Sequence, residues 1–533
     1  MPQTKKSATP AAQMNEEPFA DVSLSTDKST TTNGKSEAMM EAERPREIPL
    51  QGADKAEILE SMKQMTTSDA KWREGRVFCL VYHADETHED FLKEAHGMFF
   101  SENGLNPMAF GSLRRMEGDV VRMAAHMLHG GSDAVGTMSS GGTESILLAV
   151  KTYRDRARRL KPWVRSPEMI LPESAHVAFL KAGELFGVKA RIAPLGPDYR
   201  VQVDALRRMI NRNTVMLVGS APQYVQGVID PIEELGKIAL HKKIPLHVDA
   251  CIGGFILPWL ERLGHPLPRW DFRVPGVTSI SADLHKYGYA AKGASVIVYR
   301  DMNHLKDQFY VATEWPGGIY ASPSLPGTRP GGPIAAAWAG LQALGESGYV
   351  ELAKQSLAAV KKLRAGIAEI DGIAVVGDPD ATLVSIQSAS PAVDIYAVAD
   401  QLEDRGWHFD RQQNPASLHF TVMSKHLHTV DALLSDLSEV VHHVREHPEL
   451  KSRGNAAMYG MMAKIPLRGL VRSSVRKVME GMYGPSGDVP DLSAMDESDE
   501  QGLMALASKY KGQVLNVLDK IDEAKNRIQR RGR

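Results

Sequence analysis

The chain has only two cysteines in 533 residues, Cys79 and Cys251. That excludes a disulfide framework and a four-cysteine zinc site, and it fits a reducing compartment. It also lacks a charge excess of either sign: 63 Lys+Arg stand against 65 Asp+Glu. A dedicated nucleic-acid binder would show a basic surplus, so nucleic acid is not an expected partner. No apolar run approaches the roughly 18 residues that mark a membrane span. The first residues, MPQTKKSATPAAQMNEEPFA, carry lysines but no apolar core behind them, and so do not read as a secretory signal. No internal repeat occurs. What remains is a composition with 43% hydrophobic and 24% charged residues. It describes an ordinary globular, cytoplasmic protein, long enough for a large core.

Five stretches organise the chain. Residues 1–50 are rich in Ser, Thr, Ala, Glu and Lys and bury too little apolar surface to offset their ordering entropy, which predicts a disordered tail. Residues 51–120 form an N-terminal helical segment, with Ile58, Met62 and Met65 at helical spacing. From 121 to 370, helical stretches such as ESILLAVKTYRDRARRL alternate with short apolar runs: EMIL, TVMLVGS, IPLHVDA, VTSISAD and ASVIVYR. That alternation predicts an α/β domain with a mainly parallel sheet and helices on both faces. Residues 371–484 read as a small α+β domain: strands in AVVG, ATLVSIQS and SLHFTVM, helices in VDIYAVADQLEDRG and TVDALLSDLSEVVHHVREH. Residues 485–533 begin with an acidic linker, then a basic amphipathic helix with eight Lys+Arg against three Asp+Glu. That helix suits either an acidic surface or docking on the body of the protein, and docking is the better expectation.

Chemistry concentrates in four places. In VTSISADLHKYGYAAKGASVIVYR, Lys286 follows a strand and sits among small residues. Desolvation there lowers an amine's pKa and makes it a nucleophile for Schiff-base chemistry; the alternative is a lysine paired with a nearby carboxylate. In IPLHVDACIGGF, Asp249 ends a strand and faces the crevice where open α/β sheets bind ligands. It suits a protonated pyridine nitrogen, or a helix N-cap; Cys251 reads as a small buried hydrophobe. Ser139-Ser140-Gly141-Gly142-Thr143-Glu144 opens a helix, whose free N–H groups make a phosphate site without a Walker lysine. His176 in SAHVAF offers a flat ring for stacking, or core duty. His83, His88 and His96 do not form the two-histidine helical zinc motif, and no metal is expected.

The order of these elements resembles fold-type I pyridoxal-phosphate enzymes. The glycine-rich helix start, a histidine about 34 residues on, Asp249, and Lys286 about 37 later match their layout. Within the group II decarboxylase-like branch, six stretches resemble the sphingosine-1-phosphate lyase family: SGGTESILLAVKTYRD, SAHVAFLKAGELFGV, GSAPQYVQGVIDPI, IPLHVDACIGGF, VTSISADLHKYGYAAKG and GGIYASPSLPGTRPGG. The resemblance implies pyridoxal 5'-phosphate bound to Lys286 as a Schiff base, Asp249 at the pyridine nitrogen and His176 on the ring. Gly142, Thr143 and His285 would hold the phosphate. It implies a homodimer in which the loop carrying Thr328 reaches across from the partner, with Tyr320, Tyr82 and Lys292 around the substrate. The implied reaction is retro-aldol cleavage of a phosphorylated long-chain amino alcohol to an aldehyde and phosphoethanolamine. Tyr320, Lys286 and a cofactor phosphate oxygen are candidates for the base, with Tyr320 assigned. Two histidines of the family pattern are missing: Asn106-Pro107-Met108 replaces His-Pro-Asp, and no histidine stands near Gln226. Amino-acid decarboxylation and a catalytically silent scaffold are the alternatives.

Overall fold

A computed structural model of the chain describes residues 48–456, 459 and 468–484. Nearly all of the expected N-terminal tail, and the whole acidic linker and basic helix, lie outside the described residues. The chain divides into two compact units, Met1–Asp69 and Ala70–Arg533. In the first, helix α1 (Lys55–Met65) is N-capped by Asp54, whose side chain accepts from the backbone of Ala56 and Glu57. Ile58, Met62 and Met65 share its surface and are exposed.

The second unit is built on a seven-stranded sheet in the order β1-β7-β6-β5-β4-β2-β3. The strands are β1 (Val135–Ser139), β2 (Glu168–Pro172), β3 (Lys189–Ala193), β4 (Thr214–Ser220), β5 (Leu246–Asp249), β6 (Val277–Ala282) and β7 (Ser295–Tyr299). Only β7 runs antiparallel to its neighbours. Alternate side chains enter different cores. Val296, Val298, Leu217 and Ile170 pack in one cluster, whereas Ile297, Tyr299, Met216, Val218, Met169 and Leu171 pack in another. Burial on both faces explains why these strands read as continuous apolar runs. β1 has no such run; its Gly136 lets the strand approach β7, since a Cβ there would lie 2.2 Å from the Ile297 carbonyl oxygen.

Three helices precede or follow β1: α2 (Glu86–Met98), α3 (Gly111–Met127) and α4 (Gly142–Leu160). The helical spacing expected across residues 51–120 is broken between α1 and α2. There Val77 bridges His408, and Phe78 donates to the His408 carbonyl at 2.8 Å while its own carbonyl accepts from Thr421 at 2.8 Å. Tertiary pairing therefore overrides the local pattern.

A hairpin of β8 (Tyr310–Ala312) and β9 (Tyr320–Ser322) follows the large sheet, and then a long helix over Gly331–Ala368. Gly345, at φ 55°, breaks that helix. Ile334 and Ala337 before the break pack on the sheet core; Ala359, Val360, Leu363 and Ile367 after it pack on a second core. That second core backs an antiparallel sheet, β10 (Ile373–Val375), β11 (Leu383–Ser388), β12 (Asp410–Gln413) and β13 (Ala416–Thr421), in the order β10-β11-β13-β12. Leu433, Leu437, Val440 and Val444 cover it at helical spacing from the helix Val430–Glu446. His442 and His443 of that helix face solvent. No described helix is long and apolar enough to cross a membrane.

Candidate active site

The carboxyl ends of the parallel strands converge on a cavity of about 500 Å³. β1 leads through Ser140 and Gly141 into α4, β5 ends at Asp249, and β6 is followed by Asp283, His285 and Lys286; all of these line the cavity. So do Tyr82, Thr143, His176, Cys251 and Lys292. Eight of the residues singled out in the sequence thus meet at one place: Tyr82, Gly142, Thr143, His176, Asp249, His285, Lys286 and Lys292.

Lys286 does not have the lowered pKa that desolvation alone predicts. Burial pulls its ammonium down, but Asp283, with Oδ2 3.1 Å from Nζ, and then Cys251, Tyr82 and Asp249 together outweigh that and leave the pKa above the ordinary lysine value. The carboxylate alternative therefore describes the amine as the structure holds it. Asp283 is 1% exposed, and neither of its carboxylate oxygens has a hydrogen-bond partner. His285 Nε2 lies 3.6 Å from Asp283 Oδ2. Its Nδ1 accepts from the Ala294 N–H at 3.2 Å, which puts the ring proton on Nε2. Burial lowers the His285 pKa, so the ring is neutral at neutral pH.

Asp249 is held by a short network. Its Oδ1 accepts from Cys251 N–H at 3.1 Å and from Ser281 Oγ at 3.4 Å, and both protein hydrogen bonds fall on that oxygen. Ser281 Oγ also lies 3.3 Å from His247 Nε2, and His247 Nδ1 lies 2.8 Å from Ser279 Oγ. Burial takes the His247 pKa down to about 4. Across the cavity, Gly142 begins α4 where a Cβ would come within 2.7 Å of both Asp283 Oδ2 and Cys251 Sγ. Only glycine fits that close approach. The Cys251 thiol, pushed well above its usual value by burial and then by Asp249, stays protonated.

These features fit pyridoxal phosphate: a helix N-terminus for the phosphate, a carboxylate for the ring nitrogen, an exposed His176 ring, and a lysine paired with Asp283 Oδ2 while Oδ1 stays unbonded. Other predicted residues do not line this cavity. Asn106 Oδ1 caps its own turn, accepting from Met108 and Ala109 N–H at 3.1 and 3.2 Å. Tyr320 lies in β9 beside Tyr310 and Trp315. Thr328 Oγ1 accepts weakly from Asn103 Nδ2 at 3.4 Å, and the next residue, Arg329, forms a bidentate pair with Glu117. Gln226 is buried against Gln223, its Oε1 accepting at 2.6 Å.

Sequence reasoning missed what the second sheet brings. Asp410 of β12 and Thr421 of β13 line the cavity, as does Tyr224, whose hydroxyl donates to Asp410. Burial and then Asp410 hold the Tyr224 phenol far above its normal pKa; burial chiefly pushes Tyr82 up to about 12. Asp283 was in view, in SADLHK, but nothing in that motif distinguishes it from a strand-ending aspartate.

The site and the sheet together define a class. Residues 38–388 match the pyridoxal-dependent decarboxylase conserved domain, and the chain belongs to that family. Solved members at low identity share the fold alone: a glutamate decarboxylase from Lactobacillus brevis superposes with a TM-score of 0.66 at 19% identity, covering 75% of this chain and 95% of that one. Within the family the chain belongs with the sphingosine-1-phosphate lyases. It is 43% identical to mouse sphingosine-1-phosphate lyase 1, with 82% of this chain and 77% of the relative covered. The yeast lyase is 37% identical, with 83% and 76% covered. The structure of a Burkholderia pseudomallei sphingosine-1-phosphate lyase superposes with a TM-score of 0.76 at 39% identity, covering 84% of this chain and 98% of that one.

Proposed function

We propose that the protein is a pyridoxal-phosphate-dependent carbon–carbon lyase that cleaves a phosphorylated long-chain amino alcohol to a fatty aldehyde and phosphoethanolamine. The observation that carries this is the convergence of Lys286, Asp249, His176 and the Gly142–Thr143 helix start on one cavity, in a chain that belongs to the lyase family. When bound, the cofactor supplies electron withdrawal at the substrate's Cα. Lys286 would hold it through Nζ and release it to the substrate amine. Asp249 would keep a proton on the ring nitrogen, and the hydrogen bonds on its Oδ1 orient it for that task. His176 would cover the ring, while Gly142, Thr143 and His285 would hold the phosphate.

The substrate's hydroxyl must lose its proton as the Cα–Cβ bond breaks, and Cα must then gain one. Tyr82 and Tyr224 are neutral phenols that donate hydrogen bonds rather than take protons, since burial holds both in that form. The proton goes to one of three acceptors, Tyr320, Lys286 or a cofactor phosphate oxygen; Tyr320 reaches the cavity from a partner subunit, and the loop carrying Thr328 arrives with it. A homodimer is supported by the position of both residues off their own chain's cavity, and by the exposed apolar side chains Tyr310, Val311, Trp315 and Ile319 around them. Lys292, whose Nζ donates to the Leu80 carbonyl at 2.6 Å, faces the substrate's phosphate as a point charge. Asn106 stands where the family has a histidine, and its Oδ1 is taken up by its own turn. Two free, buried thiols support a cytoplasmic setting.

The deciding experiment supplies purified holoenzyme with sphingosine 1-phosphate and measures aldehyde and phosphoethanolamine. Both products in equal amounts support the reading. A visible cofactor band without aldehyde, together with carbon dioxide release from an amino acid, replaces it with decarboxylation. Mixing Lys286→Ala with Tyr320→Phe subunits tests the shared site: partial recovery of activity is expected, and none would place Tyr320 outside it.

A further inference from the structure

Away from the catalytic cavity, Asp85 accepts from His88 N–H at 2.8 Å and so starts α2 at Glu86. Glu86 and Glu89 then fall one turn apart on the same face. His83, two residues before the cap, folds back over them. Its Nε2 lies 3.2 Å from Glu89 Oε2 and 3.7 Å from Glu86 Oε1. One atom from each of the three side chains lies within 4.8 Å of the others.

Two further observations separate this trio from an ordinary surface ion-pair cluster. His83 is only 8% exposed, and its Nε2 and the buried Glu89 Oε2 converge at 3.2 Å with no third group bonded to either. Buried polar atoms are normally fully partnered, so two that meet with nothing else beside them point to a shared ligand. The neighbouring cations also hold the outer oxygens. Arg73 and Lys93 contact Glu89 Oε1 at 2.8 and 3.0 Å, and Arg73 Nε approaches Glu86 Oε2 at 3.6 Å. Glu89 Oε2 and Glu86 Oε1 are thereby left aimed at the histidine, as outer partners orient first-shell ligands.

We propose that His83, Glu86 and Glu89 bind one zinc-class divalent cation, with water in the remaining position. Zinc bonds to imidazole nitrogen and carboxylate oxygen of about 2.0–2.2 Å place tetrahedral ligand atoms roughly 3.4 Å apart. The observed 3.2 and 3.7 Å bracket that spacing. One nitrogen and two oxygens suit zinc better than magnesium or calcium, which prefer all-oxygen shells. Glu86, 60% exposed at its side chain, provides the entry path. Trp72 closes one side, its ring 5.3 Å edge-on from that of His83. The arrangement is not the two-histidine helical motif, so its absence from the sequence left this trio unseen. The ion does not take part in the lyase reaction; it ties the segment before α2, which carries Tyr82, to that helix.

Full-length, cofactor-loaded protein is stripped with chelator, titrated with zinc chloride, freed of unbound metal by gel filtration, and counted for metal by mass spectrometry. One zinc per chain is expected, with at least tenfold weaker retention in His83→Gln and Glu89→Gln. Cobalt should give visible absorption of tetrahedral intensity that both variants lose. Glu86→Gln, a change on the exposed rim, decides the matter if His83→Gln does not fold. Wild-type protein that retains no zinc overturns the site, as does equal stoichiometry in all variants, which would place the metal elsewhere, such as on exposed His442 and His443.

Discussion

Lys286 shows how its neighbours reverse a residue's chemistry. Position after a strand end predicts a desolvated, weakly basic amine; Asp283 beside it, with Cys251, Tyr82 and Asp249 adding to its effect, makes the amine strongly basic instead. Capture of a cofactor aldehyde requires the neutral amine, so cofactor uptake should accelerate as pH rises. Asp283→Asn removes the largest of the influences that raise the amine's pKa, and the uptake profile should move to lower pH by about a unit or more, the size of a nearby carboxylate's effect. Stopped-flow absorbance against pH measures it; an unmoved profile removes Asp283 from control of the amine. Lys286→Ala should abolish turnover and leave no cofactor fixable by borohydride, while circular dichroism stays that of the wild type. Retention of a reducible linkage would move the attachment to another lysine. Lys286, Asp249 and His176 were legible because their residue types, order and strand-end positions are local properties. Asp410 was not, because its place at the cavity depends on how β12 docks; Tyr224 follows β4, and only its hydrogen bond to Asp410 marks it out.

At the scale of elements, the start of α4 carries the most testable geometry. Gly142 is where the backbone passes Asp283 and Cys251 too closely for a side chain. Gly142→Ala should weaken pyridoxal-phosphate binding by about tenfold or more, the consequence of about 1.4 kcal/mol, with little change in the fold. Equilibrium dialysis of the cofactor checks this, and unchanged affinity would argue that the phosphate sits elsewhere. Strands β4 to β7 were readable as apolar runs because helices cover both faces of the sheet. β1, with its glycine, and β12, Asp410-Arg411-Gln412-Gln413, carry no such run and emerge only from pairing with β7 and β13. The break in the N-terminal helical pattern has the same origin: Val77 and Phe78 gain partners on His408 and Thr421 that local helix would deny them.

Across the whole molecule, buried histidines link stability to pH. His247, His419 and His426 each titrate near 4 in the folded protein because burial disfavours their charged forms. Unfolded, they titrate near 6.5, so the unfolded chain binds more protons between those values. Their contribution is full above about 6.5 and is lost as pH falls toward 4. Asp230, raised to about 6 by burial, acts the other way, favouring the folded state as pH falls through its range. Three histidines against one aspartate predict a lower unfolding midpoint at pH 4.5 than at pH 7. Calorimetry at both values tests it, and equal midpoints would mean that these rings find partners when charged.

The sequence by itself determined the fold class, the cofactor and the residues proposed to hold it, because alternating strand and helix texture and strand-end motifs depend on short-range spacing. Tertiary structure alone decided that Asp283 governs Lys286, that the second sheet closes the cavity with Asp410 and Thr421, and that Gln226 turns inward. It also brought His83 over Glu86 and Glu89. Each of these depends on a distance between side chains or on the docking of distant segments, and the electrostatic and packing terms that set such outcomes act through space rather than along the chain.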